Sequence, residues 1–293
     1  MAPIKRWFAM LAAALTLCAA AGGVAEGLRS WNKENGYVYV TFGRYPQSID
    51  GGSPDEKKNT AAWRKQYRDW ETAIRKELKL KRHDPLEPWD PGPVDPEPIL
   101  WRVLSVDEEK VYLMSEYILF ASAMHPSLKE YQEIGADFAK TELGQKLNGP
   151  FADAAFTDAE REVLIPFGEE VFVCAPARSD LSNAEMGFSK GKPNTRKAMA
   201  TEFAIRSTGA IVYQAKVGSH TPYWLREQAE KDKKHAGATK QDGGVGHLAC
   251  YNADVGARPV INLASGRFAV TGGAGTKEDP YTLEATGAET GAQ

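Results

Sequence analysis

The 293-residue chain has an ordinary globular composition, with 42% hydrophobic and 26% charged residues, so it has enough apolar material for a sizeable core. Its 36 basic and 39 acidic residues give a formal net charge of -3. Because nucleic-acid binding needs a concentrated basic surface, this balance argues against a nucleic-acid partner.

The first residues predict a cleaved signal peptide at residues 1–25. Lys5 and Arg6 form a charged start, an apolar run follows, and small residues precede the expected cleavage point. The run is shorter than the roughly 20 residues of a membrane-spanning helix. Cys18 raises a lipoprotein alternative, but Leu17 stands where lipoprotein signals have a small residue. We therefore expect a periplasmic or extracellular protein without a transmembrane span after cleavage.

The alternating segment NGYVYVTFGRYP predicts the first strand of the domain. Successive side chains of a strand point to opposite faces. One face then carries Tyr37, Tyr39 and Thr41, and the other carries Val38, Val40 and Phe42. The Gly-Arg-Tyr-Pro sequence is expected to close the strand with a turn.

An insertion is predicted at residues 55–98. From Thr60 to Arg82 the apolar residues recur at helical spacing, which predicts an amphipathic helix with a basic polar face. Such a helix can dock on a partner or on an anionic membrane, although most amphipathic helices cover part of their own protein's core. Residues 83–98 hold six prolines, which predict an extended, stiff connection.

Short strands and helices are predicted after the insertion. Residues 99–119 have the pattern of a hairpin with an acidic turn. Helical spacing then continues to Asn148-Gly149-Pro150, where a stop is expected. Thr157 and Glu160 are placed as a capping box at the start of a further helix.

The C-terminal half is predicted to contain buried strands and an unstructured end. Strands are expected in EEVFVCAPA, PYWLRE and ARPVINL, which are rich in apolar and β-branched residues. Residues 284–293 have little to bury, which predicts a disordered tail.

The order of these motifs resembles a widespread bacterial family of exported domains of unknown function. FGRYPQ, PILWRVLSVDEEKVYLMSEYIL, KLNGPFADAAFTDAE, PYWLR and GARPVINL follow one another between Val38 and Leu263. Members of that family read FGxYPQ, WRVL, LLSE, LN-F-AFT, WWLR and VRPAL. Tyr223, in place of the first tryptophan, and the insertion are departures from the pattern.

The family is similar to the formylglycine-generating, sulfatase-modifying proteins. This resemblance implies a single α+β domain of C-type-lectin-like type at residues 36–283, with short antiparallel strands, irregular loops and the helical insertion. Relatives that perform oxidation hold copper with a closely spaced cysteine pair. Cys174 and Cys250 are far apart in the sequence, so the resemblance does not extend to that activity.

The expected function is therefore a non-catalytic binding or interaction module of the cell envelope, for a glycan, a peptide or another protein. The sequence has no phosphate-binding loop and no Gly-x-Ser-x-Gly nucleophile motif. No cofactor is expected. The alternative is a hydrolase or an oxidase-like enzyme of the same fold, whose catalytic residues the sequence does not reveal.

The segment SHTPYWLREQ holds the first candidates for ligand binding. An extended strand places Trp224 and Arg226 on one face, where they offer a flat ring and a fork for a carboxylate. Further candidates lie shortly downstream, so that the complete set is Trp224, Arg226, Tyr251, Asn252 and Arg258. In the competing interpretation the aromatic strand packs into the core, and the arginines pair with buried carboxylates.

Cys174 and Cys250 remain after removal of the signal peptide. In an oxidising compartment they are candidates for one disulfide, with two separate buried thiols as the alternative. His220, His235 and His247 lie in the same part of the sequence as Cys250, but only His247 and Cys250 have the spacing of a ligand pair. A metal site is therefore not expected.

Overall fold

The computed structural model of the chain describes residues 28–48, 72, 76, 79, 94–135, 137–189, 191–210, 220–229 and 233–286. The signal peptide predicted at residues 1–25 and most of the insertion at 55–98 lie outside these ranges. Of the predicted helix at 60–82, Thr72 and Lys76 have helical backbone, Lys79 lies in a turn with a φ of 56°, and the remaining residues are outside the described part.

Short strands dominate the described residues, and small helices connect them. The strands are β1 (Tyr39–Tyr45), β2 (Glu97–Val106), β3 (Lys110–Ser115), β4 (Phe120–Ala121), β5 (Leu164–Ile165), β6 (Val173–Cys174), β7 (Trp224–Gln228), β8 (His235–Thr239), β9 (Val245–Ala249), β10 (Gly256–Ala257), β11 (Val260–Ala264), β12 (Phe268–Gly272) and β13 (Tyr281–Ala285). The helices are α1 (Leu128–Ile134), α2 (Glu142–Lys146), α3 (Ala152–Ala155), α4 (Asp158–Arg161) and α5 (Glu202–Thr208).

Most strands belong to one sheet. Strands β12, β13, β1, β2, β3, β11 and β5 lie side by side in that order, and β6 also pairs with β11. Neighbours run antiparallel except for β1 and β13, which are parallel with Val40 opposite Tyr281. Two smaller antiparallel sheets contain β4 with β10, and β7, β8 and β9 in order. The molecule is therefore an α+β protein, as predicted.

The first strand has the predicted alternation. Val40 and Phe42 are buried, whereas Tyr39 and Thr41 on the other face are only partly buried. The predicted turn at Gly-Arg-Tyr-Pro is wrong, because the strand continues to Tyr45 through a bulge between Thr41 and Arg44. The bulge lets the strand bend and continue its pairing with β2.

The predicted hairpin is confirmed as β2 and β3. Its turn is held by Asp107, whose Oδ1 accepts from the backbone N–H groups of Glu109 and Lys110 at 2.9 and 2.8 Å. Residues 97 and 98 of the predicted proline connection belong instead to β2. The carbonyls of Glu97 and Pro98 both accept from the side-chain amide of Gln47, at 3.2 and 2.9 Å, which fixes the start of this strand.

The predicted helix stop at Asn148-Gly149-Pro150 is wrong. The chain passes from α2 into α3 through a wide π-type turn at Leu147–Phe151. The side chain of Asn148 donates to the carbonyl of Val173 and accepts from the backbone N–H groups of Phe172 and Val173. These bonds to a distant strand stabilise the turn. In contrast, the capping box of Thr157 and Glu160 is present at the start of α4, as predicted.

The buried apolar side chains of the sheets and helices form one cluster. Trp101 belongs to this cluster and is fully buried, and its indole N–H donates to the carbonyl of Phe42 at 2.8 Å. The predicted tail at residues 284–293 begins too early, because Glu284 and Ala285 pair with β12. The pairing protects their backbone, and residues 287–293 lie outside the described ranges.

Candidate functional site

A cleft of about 600 Å³ lies beside the start of β1. One wall is formed by residues 35–39 and the other by residues 274–278 with Tyr281, and Arg29 also lines the space. The parallel pairing of β1 with β13 brings these two stretches of chain together. We call this space the tyrosine cleft, after Tyr37, Tyr39 and Tyr281.

The tyrosines of the first wall come from the polar face of the first strand. Tyr37 and Tyr39 lie on this face, with their rings 6.3 Å apart and edge to face. Tyr37 donates its hydroxyl to the carbonyl of Met186 at 3.1 Å, which fixes the ring. Burial raises the pKa of both tyrosines, so that their hydroxyl groups stay protonated at neutral pH.

The second wall is the loop between β12 and β13. Gly275 accepts a hydrogen bond from the backbone N–H of Tyr39 at 2.9 Å, which ties the loop to β1. The φ of Gly275 is +77°, and a Cβ atom at this position would lie 2.4 Å from Cε2 of Tyr281. Glycine is therefore required for this wall to pack against the ring.

Gly275→Ala is expected to lower the free energy of unfolding by about 1 to 3 kcal/mol, because the new methyl group combines a strained φ with a clash. Urea denaturation followed by circular dichroism measures the change. The matched control is Gly191→Ala, since Gly191 is exposed and an added Cβ meets no heavy atom of the described residues within 4 Å. A loss at Gly275 no larger than that at Gly191 would show that the loop adapts freely.

A cluster of charged residues adjoins the cleft. Glu116 is 6% exposed, and both of its oxygens accept from the guanidinium of Arg102, with Nη2 to Oε1 at 2.9 Å. Lys277, from the second wall, places Nζ 3.1 Å from the same Oε1 atom. Lys277 also lies 5.5 Å from the centre of the Tyr117 ring, and Arg102 lies 4.8 Å from that of Tyr37. The cluster therefore joins the hairpin β2–β3 to both walls.

The cluster keeps Glu116 ionised. Burial alone raises the pKa of this carboxyl, but Arg102, with smaller effects from Arg258 and Lys277, lowers it to about 2. Burial likewise opposes the charge of Arg102, yet the carboxylate of Glu116 raises the pKa of Arg102 above its ordinary value. The two buried residues form an ion pair in which each keeps the other charged.

Arg258 lies behind this cluster and is 1% exposed. Its Nε donates to the carbonyl of Ser115 at 2.8 Å and its Nη1 to the hydroxyl of Tyr223 at 3.3 Å. The Nη2 atom is buried and has no hydrogen-bond partner among the residues that the structure describes. The charge of Arg258 lowers the pKa values of Glu116, Tyr37 and Tyr39 against the effect of burial, so its field reaches the walls of the cleft.

The five residues predicted to bind a ligand do not form one open surface. Trp224 is fully buried, and its indole N–H donates to the carbonyl of Ser122 at 2.7 Å. Tyr223 and Leu225 are fully buried as well, so both faces of this part of the chain are covered. Trp224 and Arg258 therefore lie in the core and not on an open surface.

The other three candidates differ in their exposure to solvent. Arg226 is partly buried, and its guanidinium lies 5.6 Å from the ring centre of Phe167. Tyr251 is 52% exposed, whereas Asn252 is 8% exposed. None of them lines the tyrosine cleft. The charge of Arg226 lowers the pKa values of the buried Cys174 and Tyr112 in part, against the larger effect of burial.

The predicted disulfide is not formed, because Cys174 and Cys250 are both free and buried. Cys174 pairs in β6 with Val260 of β11, which holds it in the main sheet, whereas Cys250 follows β9 in a separate sheet. Burial raises the pKa of the Cys174 thiol to about 11, although Arg226 lowers it in part. A thiol that is buried and protonated is a poor nucleophile.

The histidines considered for a metal site are only partly brought together. The rings of His235 and His247 lie 5.2 Å apart across β8 and β9, in an edge-to-face arrangement. Within the described ranges there is no group of three or more His, Cys, Asp or Glu side chains that could hold a metal ion.

Sequence reasoning missed Glu116, Arg102 and Lys277. Arg102 and Glu116 stand in the apolar stretches of a predicted hairpin, where a charge is costly unless it is paired. That pattern is the signal that could have identified the pair. Lys277 gives no comparable signal, because it lies in a loop with the composition of a surface turn.

Comparisons with known proteins gave no match, whether with family models, with curated proteins or with solved structures. The resemblance to a bacterial domain family therefore depends on the order of the sequence motifs alone. No helix in the described part of the chain is long and apolar enough to cross a membrane.

Proposed function

We propose that this protein is an exported, non-catalytic binding module of the cell envelope, and that the tyrosine cleft holds its ligand. The cleft is the observation that carries the proposal. Its volume of about 600 Å³ falls within the roughly 300 to 1,000 Å³ of small-molecule sites. Tyrosine rings on both walls supply apolar contact area, and their hydroxyl groups supply polar contacts.

The charge state of Glu116 suits a positioning role rather than general acid or base catalysis by this residue. A general acid or base works best with a pKa near the operating pH, and enzymes raise the pKa of a carboxyl to achieve this. The neighbouring cations instead lower the pKa of Glu116 to about 2. The role that suits this carboxylate is to hold Arg102 and Lys277 in place beside the cleft.

We further propose that the domain is of C-type-lectin-like type. The α+β architecture and the order of the motifs from FGRYPQ to GARPVINL support this assignment. Export is supported by the charged start and the apolar run of the first residues.

Blocking the cleft tests the proposed function. Ala274 is exposed on the second wall, so Ala274→Trp places an indole in the space without removing a side-chain hydrogen bond. We expect thermal denaturation scans against a library of small solutes to identify compounds that raise the Tm of the wild type. Because a ligand stabilises only the state that binds it, these compounds are expected to lose their effect on Ala274→Trp.

The matched control is Ala159→Trp, which places the same indole on the exposed surface of α4. Compounds that bind in the cleft are expected to stabilise this variant as they do the wild type. The proposal fails if the library contains no stabilising compound, or if every such compound stabilises Ala274→Trp equally.

A further inference from the structure

We infer that the protein forms a symmetric dimer through the edge of its small sheet, in which β9 pairs antiparallel with β9 of a second copy. The inference goes beyond the proposed function and does not depend on it, because no residue of β9 lines the tyrosine cleft. Three observations lead to it: the open backbone of β9, the protection of the other strand edges and the position of Tyr251.

One side of the β9 backbone is bonded to β8, and the other side is open. The even-numbered residues face β8, because Gly244 and Cys250 make the bonds at the two ends of this ladder. Since the direction of the backbone groups alternates along an antiparallel strand, Val245, His247 and Ala249 direct theirs away from β8. β9 is an end strand of its sheet, and within the described ranges no other strand pairs with its outer side.

The other strand edges in the described part of the chain are covered, bulged or short. At the opposite edge of the small sheet, the backbone N–H of Arg226 in β7 donates to the carbonyl of Pro176 at 3.1 Å. The edge strand β12 has a bulge between Val270 and Gly272, and β4, β5, β6 and β10 have only two residues each. Such features, like lysine or proline on an edge, prevent pairing between molecules. β9 has five residues in an unbroken register and contains neither lysine nor proline.

A two-fold axis at His247 satisfies the open side of β9 with a second β9. Antiparallel pairing about this axis puts His247 opposite the partner's His247, and Val245 opposite the partner's Ala249. Residues with outward backbone groups then face each other, and each such pair exchanges two hydrogen bonds. The carbonyl of Ala249 accepts from the N–H of Asn252 at 3.1 Å, and its second lone pair serves the partner. The edge is therefore self-complementary, as the interface of a two-fold dimer has to be.

The side chains on and beside β9 favour a second copy as the occupant of this edge. β9 contains no Asp, Glu, Lys or Arg, so the pairing sets no like charges of this strand against each other. Tyr251, two residues beyond β9, is 52% exposed. Continuing the same register places its ring beside the partner's turn at Gly243, between β8 and β9. Because the axis acts on both copies, each one covers the exposed tyrosine of the other, and aromatic rings of this kind are common in interfaces.

Opposite charges introduced at His247 test the dimer and its register. The side chain of His247 is exposed, so it can be replaced without a change in the core. We expect sedimentation equilibrium of the purified wild type to show a dimer. His247→Glu and His247→Lys are each expected to weaken this dimer by about fivefold or more, because like charges directly opposite each other are destabilising. An equimolar mixture of the two variants is expected to recover the dimer, since the axis then sets a carboxylate against an ammonium group.

His247→Pro tests the backbone hydrogen bonds. The N–H group of His247 points away from β8, and proline is tolerated at such a position of an edge strand. The substitution removes the donors at the centre of the interface, so we expect a monomer with the far-UV circular dichroism spectrum of the wild type. Ala159→Glu is the control for net charge, because Ala159 is exposed on α4, and this variant is expected to remain a dimer.

Three results would each overturn the inference. The first is a wild type that stays monomeric at protein concentrations up to about 100 μM, which would leave the edge of β9 open to a different chain. The second is a dimer that persists in His247→Pro, because the copies would then meet through another surface. The third is a mixture of His247→Glu and His247→Lys that is no more dimeric than either variant alone, since residue 247 would then not face its counterpart across the axis.

Discussion

Trp224→Ala is expected to lower the free energy of unfolding by about 3 to 5 kcal/mol, the loss typical of a large side chain removed from a core. Trp224 is 0% exposed, and its indole N–H donates to the carbonyl of Ser122 at 2.7 Å. The substitution leaves a cavity that the neighbouring side chains fill only in part. It also leaves the carbonyl of Ser122 without this donor, which adds a desolvation cost.

Chemical denaturation followed by far-UV circular dichroism measures this loss without depending on the fluorescence of the residue removed. Tyr251→Ala is the control, because it truncates another large aromatic residue of the predicted ligand set that is 52% exposed. We expect this control to change the free energy of unfolding by no more than about 0.5 kcal/mol. Similar, small losses in both variants would mean that Trp224 does not pack in the core.

Trp224 shows why the sequence left two interpretations of its strand open. Alternation along PYWLRE predicts two faces, but it shows neither the irregular pairing with β8 between Trp224 and Gln228 nor what covers each face. The carbonyl that accepts from Trp224 belongs to Ser122, 102 positions earlier in the chain. Both faces are buried because of contacts of this kind, and no local pattern reports them.

The elements predicted most accurately are those with local causes. The turn at Asp107 depends on bonds to residues two and three positions later, and the capping box depends on Thr157 and Glu160, three positions apart. The π-type turn at Leu147–Phe151 was missed because Asn148 is held by residues 24 and 25 positions away. Asn148-Gly149-Pro150 has the local pattern of a helix stop, although bonds to residues far along the chain hold it in a helical turn.

The cleft likewise depends on contacts between residues that are far apart in the sequence. Its two walls come from the beginning and the end of the described domain, and Thr41 lies 240 positions from the carbonyl of Tyr281 to which it donates. The sequence correctly predicted the tyrosine face of the first strand, but it did not predict that β13 would run beside β1. It also raised the alternative that Arg258 pairs with a buried carboxylate. The hydrogen bonds of Arg258 go instead to Ser115 and Tyr223, and its charge lowers the pKa of Glu116.

Glu116→Gln is expected to lower the free energy of unfolding by about 3 to 5 kcal/mol at neutral pH, as is typical when one partner of a buried ion pair is removed. The neutral amide has nearly the same shape, so the loss reports charge rather than volume. Arg102 stays buried and charged without its partner, and Arg258 adds a second cation nearby. The control is Glu133→Gln, which removes an exposed partner 3.9 Å from Lys129 and is expected to cost no more than about 1 kcal/mol.

The pH dependence of this loss distinguishes the ion pair from a packing defect. The folded protein lowers the pKa of Glu116 from 4.5 to about 2, so the folded state binds this proton less readily than the unfolded state. The stability that the carboxylate contributes is therefore fully present above pH 4.5 and is lost as the pH falls toward 2. Glutamine does not titrate, so the wild type and Glu116→Gln are expected to converge in stability over that range. Denaturation curves at a series of acidic pH values measure the difference, and a difference that stays constant would show that the carboxylate is not held by its charge.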